Sequence, residues 1–178
     1  MAIHQDLAGL LKESVSEYLH VAHECLTHQK AEGGVYGFPA ALLLFTILDT
    51  IGSFHRGDKI FSSSVDGKNR LIDGDGFKHY FILNTSYYSQ TLTEAQIKKL
   101  YYYYRCLLSH NASLAPGRGL EVGSLGEPLF SIDPSGAILS IRLLPFYHQS
   151  VTAADQFLKR VGSILKTSAQ ATTINKKS

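Results

Sequence analysis

The sequence predicts an all-α fold, a helical bundle with one small β-hairpin inserted before its C-terminal helix. Three observations carry that expectation. Apolar residues recur at helical spacing in stretches that begin near Ile3, Pro39 and Thr93. Thr93 followed three residues later by Gln96 is a capping box, in which each side chain satisfies an otherwise orphaned amide. Asp133-Pro134-Ser135-Gly136 lies between two apolar stretches with proline second and glycine fourth, the order of a type I turn joining two strands.

Taken in order, residues 3–30 form one long helix by pattern. Leu7, Leu11, Val15, Tyr18, Ala22 and Leu26 hold a stripe, Lys12, Glu13, Glu17 and Glu24 stay off it, and Gly33-Gly34 ends it. A second helix opens near Pro39, a residue tolerated in a first turn, and runs through AALLLFTILDTIGSF. It is apolar almost all round and so is expected to be the central buried helix, with Asp49 its lone acid. Residues 55–75 form a polar connection, long enough to hold a helical turn or to be mobile. GFKHYFILNTSYY resumes a helical pattern through Phe77, Phe81 and Ile82. The helix over 93–109 follows, its stripe made by Ile97, Leu100, Tyr101, Tyr104, Leu107 and Leu108. NASLAPGRGLEVGSLGEP is expected to be loop, and the hairpin covers about 128–145. A last helix is expected from Thr152, where Asp155 completes a second capping-box pattern, through Phe157, Leu158, Val161 and Leu165. One domain over 1–166 and a frayed tail over 167–178 complete the expectation.

Composition narrows the functional classes. With 178 residues, 44% of them apolar and 18% charged, the chain has material for a real core and does not have the composition of a disordered protein. A net charge of +2 is too small for a nucleic-acid coat or a membrane-surface protein, so any anion site is local. Cys25 and Cys106 make no disulfide framework and suit a reducing, cytoplasmic setting. The N-terminal stretch lacks the basic and uninterrupted apolar regions of a signal peptide. The most apolar run, 38–48, is well short of the ~20 residues that span a bilayer, so no membrane association is expected.

The chemistry concentrates at the end of the 93–109 helix. Arg105 and His110, five residues apart, would lie about 140° apart around an α-helix, with Tyr102, Cys106 and Ser109 between them. A five-residue spacing does not suit two ligands of one small ion, since helix neighbours meet at three or four. Arginine is a permanent cation whose planar fork fits phosphate, and histidine titrates near neutrality. RNA carries its own nucleophile in the 2′-OH, so a base for that hydroxyl and a cation for the phosphate suffice for metal-free strand cleavage. The plain alternative is a structural pair: an N–H donor and a cation favoured by the helix dipole.

Y-Y-Y-Y-R-C-L-L-S-H-N, over 101–111, resembles the Arg-x4-6-His signature of the HEPN superfamily in its four-spacer form. FPAALLLFTILDTIG is similar to the apolar second helix of bacterial members, and the likeness covers about 3–111 plus the last helix. The resemblance implies a helical bundle and a homodimer whose motif helices face each other. It also implies a composite, metal-independent ribonuclease site in which Arg105 and His110 carry the chemistry. One position departs from the pattern: active members often have Asn, Asp or His directly after the arginine, where this chain has Cys106. Non-catalytic members that bind nucleotides or RNA are the alternative, as is a purely structural interaction domain. The sequence names neither an RNA substrate nor an antitoxin-type partner.

Around this pair, Asp49 is a candidate to orient Arg105 or His110. Tyr101 and Tyr104 belong to the core stripe, while Tyr102 and Tyr103 face away, toward a partner subunit or a base. Ser109 and Asn111 flank His110, and Asn111-Ala112-Ser113 is a glycosylation sequon only in a secreted protein. Arg56, Lys68 and Arg118 are candidate phosphate contacts. No metal and no cofactor is expected. His20, Glu24 and His28 lack a fourth ligand and read as a solvated face. Asp73-Gly74-Asp75-Gly76 is followed by Phe77 where calcium needs an oxygen. Gly117-Arg118-Gly119 follows a helix, not the strand of a dinucleotide site.

Overall fold

A computed structural model describes residues 6–176. The expected start of the first helix at Ile3 lies outside the described residues. Helix α1 (Leu7–Thr27) opens on Asp6, whose carboxylate accepts the Gly9 N–H at 2.6 Å, and it buries Leu11, Val15, Ala22 and Leu26. Helix α2 (Gly37–Phe54) takes Pro39 in its first turn, as expected, and packs against both α1 and the last long helix. At 18 residues and a mean hydropathy of 1.6 it is, by length and composition, apolar enough to cross a membrane, and half of it is buried in the fold.

The all-α expectation is corrected. Helices dominate, but the described residues also form five strands in two small sheets, so the fold is mixed α/β. In the connection over 55–75, β1 (Ser62–Val65) pairs antiparallel with β2 (Lys68–Leu71). Asp66 and Gly67 turn the chain between them, with φ of +52° and +70°. An Asp-Gly pair with both residues left-handed matches the twist of the strands it joins. The expected hairpin is present: β4 (Phe130–Ile132) pairs antiparallel with β5 (Ile138–Arg142). In its turn the Gly136 N–H donates to the Asp133 carbonyl at 2.9 Å. The Gly-rich segment expected as loop adds β3 (Gly119–Glu121), parallel to β5, giving the order β3-β5-β4.

Three helical boundaries also differ. Residues Gly76–Asn84 wind as a 3-10 helix. The last long helix, α5 (Leu143–Thr167), follows β5 without a loop and begins nine residues before Thr152, with Pro145 in its first turn. Thr152 is therefore mid-helix, its hydroxyl donating to the His148 carbonyl, and Asp155 pairs with Lys159 instead of capping. Residues expected to fray form α6 (Ala169–Asn175), capped by the Ser168 hydroxyl and touching α2.

The core brings α2, the 3-10 helix and α5 together. Phe45 stacks on Tyr80 with ring centres 5.9 Å apart and meets Phe146 edge-on at 5.3 Å. Gly52 sets the distance between α2 and the 3-10 helix, because a Cβ there would fall 2.2 Å from the His79 carbonyl oxygen. Only a residue without a side chain allows that approach.

His55, at the end of α2, is wholly buried. Its ring stacks on Phe61 at 3.8 Å and its Nε2 bonds the Tyr87 hydroxyl at 3.0 Å. Burial pushes its pKa down to about 4, although Asp58, 3.7 Å from Nδ1, pulls the other way. Between pH 6.5 and pH 4 the unfolded chain therefore binds the proton that the folded chain refuses. Stability from this residue is fully present above pH 6.5 and falls with pH toward 4, by up to about 3 kcal/mol. Thermal melts across that range are expected to lose stability steeply, and His55→Phe to flatten the slope.

Candidate functional site

The capping box forms as expected: the Thr93 hydroxyl accepts the Gln96 N–H at 3.2 Å, and the Gln96 side chain accepts the Thr93 N–H at 2.8 Å. Helix α3 (Glu94–Leu100) then gives way to six residues of π-helix, Tyr101–Cys106, before α4 (Leu107–Asn111). The offset of an unbroken α-helix therefore does not describe Arg105 and His110, because a π turn changes the rotation per residue. Such turns recur at functional sites. Ala112 ends α4 in the left-handed region, φ +49°.

The four tyrosines divide as the stripe requires. Tyr104 is buried and its hydroxyl donates to the Leu139 carbonyl at 3.0 Å, tying the π turn to β5. The Tyr101 ring meets Tyr80 edge-on at 5.3 Å, while Tyr102 and Tyr103 are exposed.

Arg105 is fixed from two sides. Its Nη2 donates to Asp49 Oδ2 at 3.0 Å, and its guanidinium lies 5.5 Å from the centre of the Tyr101 ring. Desolvation acts against its charge, but Asp49, with Tyr80 and Tyr101, outweighs it and raises the pKa further. Of its five N–H donors the contact with Asp49 uses one, and the side chain remains 29% exposed. The other oxygen of Asp49 accepts from His79 Nδ1 at 2.9 Å. One carboxylate thus joins the π turn to the 3-10 helix.

These three side chains line an open cleft of about 260 Å³ with Thr46, Thr50, Ser53 and Gln170. The three hydroxyls donate to carbonyls of their own helix at 2.8, 2.8 and 2.9 Å. Gln170 arrives from α6. Tyr80, fully buried just behind, has its pKa raised well above the usual phenol range by burial and then by Asp49.

His110 stands outside this cleft. It is exposed in the last turn of α4, and its ring makes no hydrogen bond or ion pair among the described residues. His110 is not among the residues that line the Arg105 cleft. Ser109 donates to the Arg105 carbonyl at 2.9 Å, Cys106 is half-buried beside Tyr101, and Asn111 is exposed. The candidate phosphate contacts lie elsewhere. Arg56 pairs with Asp75, Arg118 donates to the Ile138 carbonyl at 2.6 Å, and Lys68 is exposed on β2; none lines the cleft. His79 escaped the sequence pattern because its partner is 30 residues away and only the pairing of the 3-10 helix with α2 joins them.

No protein-family model matches the chain, and no curated protein or solved structure matches it either. The likeness to HEPN proteins rests on residues 101–111 and the apolar sequence of α2.

The Asp49–Arg105 pair is partly buried, so removing one partner strands the other. Asp49→Asn is expected to lower stability by about 1–2 kcal/mol, the smaller end for such pairs because solvent reaches both groups. Arg105→Leu should cost less in that background than in the parent chain, a coupling that a double-mutant cycle of urea unfolding reads directly.

Proposed function

We propose that the chain is a metal-independent endoribonuclease of HEPN type, acting where Arg105 and His110 of two copies come together. The observation that carries this reading is the state of the two motif residues. Arg105 is held at the rim of an open polar cleft with one N–H committed to Asp49, and His110 exposes a ring that makes no hydrogen bond or ion pair among the described residues. A second copy facing this helix would bring a further Arg105 and His110 to the same place. Exposed Tyr102 and Tyr103 on the same helix offer the aromatic area that subunit contacts favour.

The chemistry follows from these parts. One His110 takes the proton of the RNA 2′-OH, and the freed oxygen attacks the adjacent phosphorus. Arg105 holds the charge that builds on the phosphoryl oxygens. The bond to the 5′-oxygen breaks as that oxygen receives a proton from a protonated His110. The products are a 2′,3′-cyclic phosphate and a 5′-hydroxyl, and no metal takes part.

A second reading keeps the site and drops the catalysis. Asp49 already neutralises Arg105, and Cys106 occupies the position after it, which suits a module that binds RNA or a nucleotide without cutting it.

Purified protein incubated with single-stranded RNA in EDTA is expected to yield 2′,3′-cyclic ends. Arg105→Ala and His110→Ala should each slow cleavage by about a hundredfold or more. Cleavage that persists in both variants would end the ribonuclease reading. Binding without cleavage, weakening steeply as salt rises, would select the second.

A further inference from the structure

The Asp49 carboxylate has two oxygens and two partners from two different elements: Arg105 at 3.0 Å and His79 at 2.9 Å. An ionised carboxylate only accepts, so His79 must carry its proton on Nδ1. Its Nε2 is buried and has no hydrogen-bond partner among the described residues. The ring therefore makes one polar contact, and that contact is with Asp49.

His79 has little freedom to give this contact up. Its side chain is only 12% exposed, and its own carbonyl lies against Gly52, one helical turn beyond Asp49 on α2. Arg105, by contrast, reaches Asp49 through a single N–H, which fixes a distance but not the plane of the carboxylate. A carboxylate with only that contact would turn about its terminal torsion, which is broad for aspartate. With His79 on the other oxygen, the plane is set and the direction of Arg105 across the Tyr101 face is set with it.

We propose that His79 is a positioning residue of this site: through Asp49 it holds the Arg105 guanidinium in the orientation that meets an RNA phosphate. The substrate named here rests on the ribonuclease reading; the positioning itself does not. Phosphoryl transfer is sensitive to such placement, since a displacement of about 1 Å can cost a hundredfold in rate.

Three substitutions separate positioning from packing. Asparagine places an amide N–H where Nδ1 is, glutamine places it where Nε2 is, and leucine keeps bulk without a donor. His79→Asn is expected to cleave RNA within about threefold of the parent, while His79→Gln and His79→Leu lose about tenfold or more. Nitrogen-resolved NMR of the Arg105 guanidinium, recorded without RNA, gives an independent readout. Its N–H signals should be sharp and little shifted in the parent and in His79→Asn, and broadened or displaced in the other two. Should His79→Leu not fold, the asparagine–glutamine pair still decides. Identical Arg105 signals in all folded variants would overturn the proposal, as would a loss in His79→Asn equal to that in His79→Gln. If the parent protein neither binds nor cuts RNA, the ribonuclease reading fails while the NMR comparison still decides His79's role.

Discussion

A carboxylate in the most apolar helix of the chain has to be paired, and here it is paired twice. Asp49 is the single charged residue in the 18 residues of α2, a helix whose buried half lies in the centre of the core. Solvent reaches Asp49, so leaving it unpaired would cost about 1–2 kcal/mol, and losing its charge would leave Arg105 without a counter-ion. Drawing one cation from the π turn and one imidazole from the 3-10 helix solves both problems. It also binds three elements that are distant in sequence, 49, 79 and 105, into one corner of the molecule.

The surrounding structure follows from that corner. Gly52 allows the backbone of the 3-10 helix to approach α2 closely enough for His79 to reach Asp49. Tyr101 and Tyr80, packed edge to face, wall the guanidinium on its apolar side. Tyr104 anchors the π turn to β5, so the sheet that sequence patterning undercounted supports the helix that carries the motif. His110, beyond the π turn and near the left-handed cap at Ala112, faces solvent. The two motif residues thus have different physical characters, one held and one free to meet another molecule.

Much of this was legible from local signals. The capping box at Thr93 and Gln96, the turn at 133–136 and the stripe of α1 are short-range patterns, and each formed as its chemistry requires. Asp49 stood out as a lone acid and does meet Arg105. What the sequence hid was either non-local or masked by a competing pattern. Asp66-Gly67 is a hairpin signal, but its flanking strands are four residues each and β2 is exposed along its length, so no alternation announced them. Strand β3 exists only because β5 offers a parallel edge. Thr152 and Asp155 mimic a helix start inside a helix that β5 had already launched at Leu143. The π turn has no local code in four consecutive tyrosines, and His79 becomes a site residue only through a contact 30 positions away.

In the proposed ribonuclease the RNA phosphate meets Arg105 and His110 together. The most direct measurement is an NMR titration with a short single-stranded oligoribonucleotide in EDTA, made uncleavable by 2′-deoxy substitution at the scissile nucleotide. It would follow the Arg105 guanidinium and the His110 ring in one sample. Both sets of signals are expected to move along the same saturation curve, and high salt to reverse both. Shifts confined to other residues, or movement of neither group at saturating oligonucleotide, would contradict it.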